Sequence, residues 1–215
     1  FSGVFGFALG VVAGARQGTW VDRGIKWCCL TIASTPAFWL GVVLLIVFGV
    51  WLGWAPVGLA VPVGVPAAEV TLVDRLHHLV LPAVTLSILG VANVALFTRQ
   101  KVLEVLASEY VLWARARGES GSAILGRHVL RNVALPAVTL QFAVFSELFG
   151  GSVLAEQVFA YPGLGQATVQ AGLRGDVPLL LGTVIFGAIF VFAGNLLADV
   201  IYVVVDPRIR PGRSV

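Results

Sequence analysis

The chain has 215 residues, 58% of them hydrophobic and 12% charged, with a formal net charge of +3. Soluble domains carry about a quarter charged residues. That contrast, with a mean hydropathy of +0.95, excludes an ordinary soluble domain and points to an all-α membrane protein with lipid as its surroundings. The basic residues flank apolar runs and form no soluble basic face, so the sequence pI of about 9.2 is not a sign of nucleic-acid binding.

A hydrocarbon core of about 30 Å takes roughly 20 apolar residues in a helix, and uncharged runs of that kind predict five membrane spans. The first, 1–15, has no basic flank before it, and the chain has no methionine. It reads as a partial span of an N-terminally truncated chain. A polar loop is expected at 16–26 and a second span at 29–52. Cys28 and Cys29 are adjacent, a spacing that rarely reaches disulfide geometry, and read as small apolar filler. Pro56, Gly58, Pro62, Gly64 and Pro66 predict a loop over 53–78. Spans three to five fall at 79–98, 133–154 and 177–203. A polar segment, 99–132, separates the third and fourth, and a loop containing Tyr161-Pro162-Gly163-Leu164-Gly165 separates the fourth and fifth. Pro178 stands in the first turn of the last span, where its missing N–H costs nothing.

Basic residues give the orientation. Alternate loops hold Arg16, Arg23 and Lys26, then Arg99, Lys101, Arg115, Arg117, Arg127 and Arg131, then Arg208, Arg210 and Arg213, which is 12 in all. The opposite loops hold 2, Arg75 and Arg174. The first set, with the C-terminus, is expected on the cytoplasmic side. Gly6, Gly10 and Gly14 share one face of the first helix and predict close approach of another helix.

The segment 99–132 is too long for a tight turn and too regular for a linker. Residues 101–117 read as one helix with Val102, Val105, Leu106 and Tyr110 near one face. Gly118 can end that helix in the left-handed conformation. Ser120 is placed to cap a second helix over 121–132, whose apolar side carries Ile124, Leu125, His128 and Leu130 and which also bears Arg127 and Arg131. A two-helix elbow of this kind suits docking to a soluble protein. The plainer reading is an amphipathic elbow lying in the membrane interface.

These residues resemble a known family. The run Glu109-Tyr110-Val111-Leu112-Trp113-Ala114-Arg115-Ala116-Arg117-Gly118, with His128-Val129-Leu130-Arg131-Asn132 and Leu135-Pro136, is similar to permease subunits of binding-protein-dependent ABC importers of the dipeptide, oligopeptide and nickel group. On the general spacing of that superfamily Gly118 takes the glycine position, His128 the isoleucine and Leu130 the leucine. Leu112-Trp113-Ala114 replace the usual Glu-Ala-Ala, and Arg131 replaces the proline. The segments Thr35–Gly41, Glu156–Phe159 with Tyr161–Gly165, Asn195–Asp199 with Tyr202, and Asp206–Arg210 match the family in the right order.

The resemblance implies one permease domain over 1–215 with five of an expected six helices. It also implies that 99–132 docks on an ATPase, with Tyr110, Ala114, Arg115, Ala116, Arg117, Gly118, Ile124, Arg127, His128, Leu130 and Arg131 as docking residues. The implied partners are a second homologous permease subunit, two ATPase subunits and an extracytoplasmic substrate-binding protein, in a bacterial inner membrane. The chain itself has no phosphate loop. No enzymatic role and no cofactor are expected for it, and ATP and Mg belong to the partner subunits.

Four other features carry weaker signals. Gly163-x-Gly165 lacks the strand and the Gly-Lys-Ser/Thr of a nucleotide loop. Asp74, His77 and His78 could ligate a metal, but adjacent histidines on such a loop read as solvated or interfacial, and no metal is expected. Glu147 stands about 16 Å along the helix from Pro136, near mid-membrane, where charge is costly. It is the candidate residue of a translocation path. Asn195 and Asp199, one turn apart, read as a polar contact between helices. A secondary transporter or channel is the alternative function, but it predicts several ionisable residues at mid-membrane, where only Glu147 qualifies. An intramembrane hydrolase would need a nucleophile–base pair or a metal motif that no span offers.

Overall fold

The computed structural model describes residues 1–66 and 68–205, with side chains described except at 142–151, 198 and 201–205. Its helices are α1 (Ser2–Ala15), α2 (Trp20–Ala33), α3 (Ala37–Leu44) with a π-helical continuation (Leu45–Trp51), α4 (Leu72–Leu106), α5 (Glu109–Ala116), α6 (Gly121–Ile124) with a π-helical continuation (Leu125–Val129), α7 (Leu130–Val158), α8 (Leu164–Arg174) and α9 (Val177–Val205). No strand occurs among the described residues. Among them, α4 and Val177–Leu197 of α9 are each long and apolar enough to cross a bilayer, and α2 with α3 adds a third if the pair is one broken span.

Several boundaries differ from the sequence expectation, each for a local reason. α2 begins at Trp20, inside the expected loop 16–26, because Thr19 caps it: the Asp22 N–H reaches Thr19 Oγ1 at 3.4 Å, and the Asp22 carboxylate accepts from the Gly18 N–H at 2.9 Å. The expected span 29–52 is broken at Ser34-Thr35-Pro36, since proline donates no N–H and steers the preceding residue away from helical geometry. α4 begins at Leu72, within the expected loop 53–78. Thr71 and Asp74 exchange hydrogen bonds there, Asp74 N–H to Thr71 Oγ1 and Thr71 N–H to Asp74 Oδ2, as in a capping box. The loop containing Tyr161–Gly165 leads directly into helix α8.

The chain divides into two compact units. One comprises Phe1–Ser34, Leu89–Phe145 and the chain from Ala193. The other comprises Thr35–Ile88 and Ser146–Phe192. The nine basic residues of the first two basic segments all fall in the first unit, and Arg75 and Arg174 both fall in the second.

In the first unit the glycine stripe of α1 packs on α4. An added Cβ at Gly6 would stand 2.7 Å from Val94 Cβ, one at Gly10 2.5 Å from Thr98 Cβ, and one at Gly14 2.6 Å from Val102 Cβ. Each step of four along α1 meets a step of four along α4 in the same direction, so the two helices run parallel and their basic ends, Arg16 and Arg99, share one side. Cys29 is buried against Ala92 and Ala95. Asp22 and Arg99 form a two-pronged ion pair, Nε to Oδ1 at 2.5 Å and Nη2 to Oδ2 at 2.9 Å. Their side chains are only 4% and 18% exposed. Such a fork fixes geometry as well as charge.

In the second unit Leu81, Ala155 and Phe159 form a core joined by Leu44, Phe48 and Tyr161. The loop before α4 is fastened by side chains. His77 Nε2 donates to the Trp54 carbonyl at 3.0 Å, and His78 Nδ1 donates to those of Gly58 and Leu59 at 2.9 and 3.1 Å. The Leu59 N–H in turn donates to the Phe159 carbonyl at 2.9 Å. Glu156 holds α8, its Oε2 accepting from the Gln166 N–H at 2.6 Å. The carboxylate lies where a Cβ on Gly163 would stand, so a side chain there would have to displace it.

Candidate functional site

The elbow is built differently from the expected pair of helices. α4 continues to Leu106, so 101–117 is not one helix. Ser108, in extended geometry, starts α5 afresh, its carbonyl accepting from the Val111 and Leu112 N–H groups at 3.1 Å. After α5, Gly118 takes φ +83. Its N–H donates to the Arg115 carbonyl at 2.9 Å, and the Glu119 N–H donates to that of Ala114 at 3.1 Å. This pair of bonds is a Schellman closure, which glycine adopts without steric cost. Ser120 caps α6 as expected, accepting from the Ala123 N–H. The expected second helix, 121–132, does not end. Both joints of its π-helical turn keep helical dihedrals, so α6 runs on into α7.

A buried core fixes the elbow to the membrane helices. Val111, Ala114, Ile124, Val129 and Val133 pack with Val11 of α1 and Val102 of α4. Ala114 and Ile124, expected as docking residues, are therefore anchors on the inner side, 0% and 2% exposed. Polar contacts close the elbow above them. His128 Nε2 donates to Glu119 Oε2, and Arg117 Nη2 donates to Glu119 Oε1, both at 3.2 Å. The His128 bond first, and then that of Arg117, hold the Glu119 carboxyl below its ordinary value, so it stays charged at neutral pH. Asn132 Nδ2 donates to Tyr110 Oη at 3.2 Å and to the His128 carbonyl at 2.7 Å. The Tyr110 and His128 rings lie 6.0 Å apart.

Tyr110, Arg115, Ala116, Arg117, Gly118, Arg127, Leu130 and Arg131 remain exposed, with His128 half-buried. Leu112 and Trp113 are also exposed, at 54% and 70%. The sequence reading did not count them as docking residues. The signal was present: two large apolar residues between Val111 and Ala114 cannot share those residues' buried face. Glu147 stands on α7, but its side chain lies outside the described residues, as does the tail from Asp206. Asn195 and Asp199 are exposed on α9 and meet no partner among the described residues, so the expected polar contact is not made there. Asp74, His77 and His78 are committed to the cap and the carbonyl bonds already described.

Long apolar helices, a glycine-packed helix pair and a basic elbow continuous with a long helix define an all-α membrane protein. The chain belongs to the family of binding-protein-dependent transport system inner membrane components, whose model matches residues 6–211. It is 38% identical over 204 residues to the oligopeptide transport system permease protein AppB of Bacillus subtilis, covering 94% of this chain and 63% of that protein. It is 33% identical over 228 residues to the di/tripeptide transport system permease protein DppB of Pseudomonas aeruginosa, covering 99% and 68%. It is 35% identical over 207 residues to the glutathione transport system permease protein GsiC of Escherichia coli K12, covering 96% and 63%. The chain thus spans just under two thirds of the length of the first of these relatives.

Proposed function

We propose that the chain forms half of the translocation path of an ATP-driven importer for peptides or peptide-like solutes, working by alternating access. The observation that carries the mechanism is mechanical. The elbow is one piece with α7: α6, its π-helical turn and α7 follow without a break, while Val111 and Ala114 bind α5 to the same core. A push on the exposed face of Tyr110, Leu112, Trp113, Arg117, Arg127 and Arg131 would pass into α7 without a soft joint. Glu147 stands on that helix, where it can meet a substrate amine. The substrate class rests on the names of the relatives, which are oligopeptide, di/tripeptide and glutathione permeases.

In this reading a second homologous permease completes the path and two ATPase subunits holding ATP and Mg press on the elbows. A substrate-binding protein delivers the solute from outside. The test is pull-down of the ATPase subunits together with peptide uptake. Gly118→Val forces a β-branched residue into the left-handed region, at a cost of roughly 1–2 kcal/mol. Arg127→Glu reverses an exposed charge. Both variants should insert normally, hold the ATPase several-fold more weakly and lose uptake, while Arg75→Glu in the other unit should keep the ATPase. Wild-type ATPase retention and uptake in both elbow variants would end the reading.

A further inference from the structure

Beyond transport, we propose that the first unit carries a binding site for the headgroup of an anionic phospholipid, held by Arg16 and Arg115. Two cavities of about 460 and 330 Å³ lie between the end of α1, the end of α4 and the elbow, and both are lined by these two arginines and Leu106. Gln17 and Thr19 add polar groups to the larger cavity and Ser122 adds one to the smaller. No acidic residue lines either of them. Neither arginine side chain has a carboxylate or carbonyl partner among the described residues, whereas Arg99 and Arg117 each have one.

Helix-end carbonyls would repel an anion here, and several of them are already engaged. Those of Val12, Arg16, Leu103 and Val105 each accept an N–H or a hydroxyl from the turns that follow. Trp20 and Trp27, two turns apart on α2, are 85% and 67% exposed, and such indole rings favour a membrane–water boundary. Arg115 follows the buried Val111 by one turn and so flanks the inner face of the elbow, not the outer face where Trp113 stands. A basic cavity between membrane helices on the side rich in arginine and lysine is the setting in which anionic headgroups bind. The site needs only the membrane side given by the basic residues, not the importer reading.

The experiment uses the purified permease in the assembly in which it is extracted, with phosphatidylglycerol and phosphatidylcholine offered together and retained lipid counted by native mass spectrometry. Wild type should retain phosphatidylglycerol preferentially. Arg16→Gln and Arg115→Gln should each lower that retention about fivefold, Arg174→Gln should leave it unchanged, and Arg16→Lys should keep most of it. Both arginines are exposed, so each single variant should fold, and the readout is independent of uptake. Equal retention by wild type and both Gln variants overturns the proposal. Complete displacement by millimolar inorganic phosphate overturns the lipid assignment in favour of a free anion. Loss of an ATPase subunit with lipid retention unchanged overturns it in favour of a protein contact.

Discussion

The two units of the chain hold their elements by opposite means. The first spreads its contacts over area: a glycine stripe of α1 lets two backbones meet, and a buried ion pair and an apolar core tie α2, α4 and the elbow together. The second hangs a long loop and a short helix on single polar side chains, with His77 and His78 on loop carbonyls and Glu156 on the N-terminus of α8. Substitutions in the first should therefore lower the stability of the whole chain, and substitutions in the second should free a segment and leave the rest intact. In the proposed function the first unit passes force, and that task calls for the first kind of bonding.

The sharpest way to break that comparison is Gly10→Leu. Its side chain would collide with Thr98 and with the Ala95 carbonyl, where even a Cβ comes within 2.6 Å. Overpacking of this kind costs about 3 kcal/mol and should appear as a large drop in thermal unfolding temperature in detergent. Gly24→Ala on α2, where nothing lies within 4 Å of the added carbon, should instead raise stability by about 0.5–1 kcal/mol through helix propensity. If the two variants melt alike, α1 and α4 are not packed through the glycines.

Asp22→Asn comes next. It removes the charge that Arg99 grips while leaving the shape of the side chain, so Arg99 stays largely buried without a counter-ion. The cost should be about 2 kcal/mol, below the range for wholly buried pairs because Arg99 keeps some exposure. Chemical denaturation of Asp22→Asn, Arg99→Gln and the double variant would measure the coupling. Additive effects would deny that the two side chains act together.

Much of this was legible in the sequence. The spacing of Gly6, Gly10 and Gly14 gave the helix contact, because a repeat of four is a face. Gly118 and Ser120 gave the turn and the cap, because their chemistry is local. The basic residues of 16–26 and 99–131 fell in one unit and Arg75 and Arg174 in the other, a division that their places along the chain already carried. Helix ends were less legible. Absence of charge bounds the expected spans, yet Thr19 and Thr71 start helices inside charged stretches, and the break at Pro36 lies inside an apolar run. The burial of Ala114 and Ile124 was illegible for another reason: their partners Val11 and Val102 come from distant segments. Glu147 was singled out by hydropathy, which states a cost but not a partner.

In the second unit Glu156→Ala removes the acceptor of the Gln166 N–H and leaves the N-terminus of α8 with one fewer partner. Loss of such a cap costs about 1 kcal/mol. Hydrogen exchange should quicken over 161–175 while the elbow, residues 109–133, exchanges as in wild type. Protection lost equally in both regions would show that α8 is not a locally held element.

The smallest effect compares two threonines on the same helix. Thr85 and Thr98 both lie on α4, 1% and 0% exposed, one in each unit. Thr85 Oγ1 donates to the Leu81 carbonyl at 2.8 Å, the usual back-bond of a threonine in a helix. Thr98 Oγ1 has no partner among the described residues, since the contact with Gly10 sets its side chain against α1. Valine has nearly the same shape and no hydroxyl. At 85 the exchange gives up a made hydrogen bond, and at 98 it removes a buried hydroxyl that has none. Thr98→Val should therefore be more stable than Thr85→Val by about 1 kcal/mol, with Thr98→Val at or slightly above wild type. Paired thermal unfolding of the two variants in one detergent measures the difference. If Thr98→Val falls below Thr85→Val, the hydroxyl at 98 has a partner that matters, and α1 and α4 are joined by more than close-packed glycine.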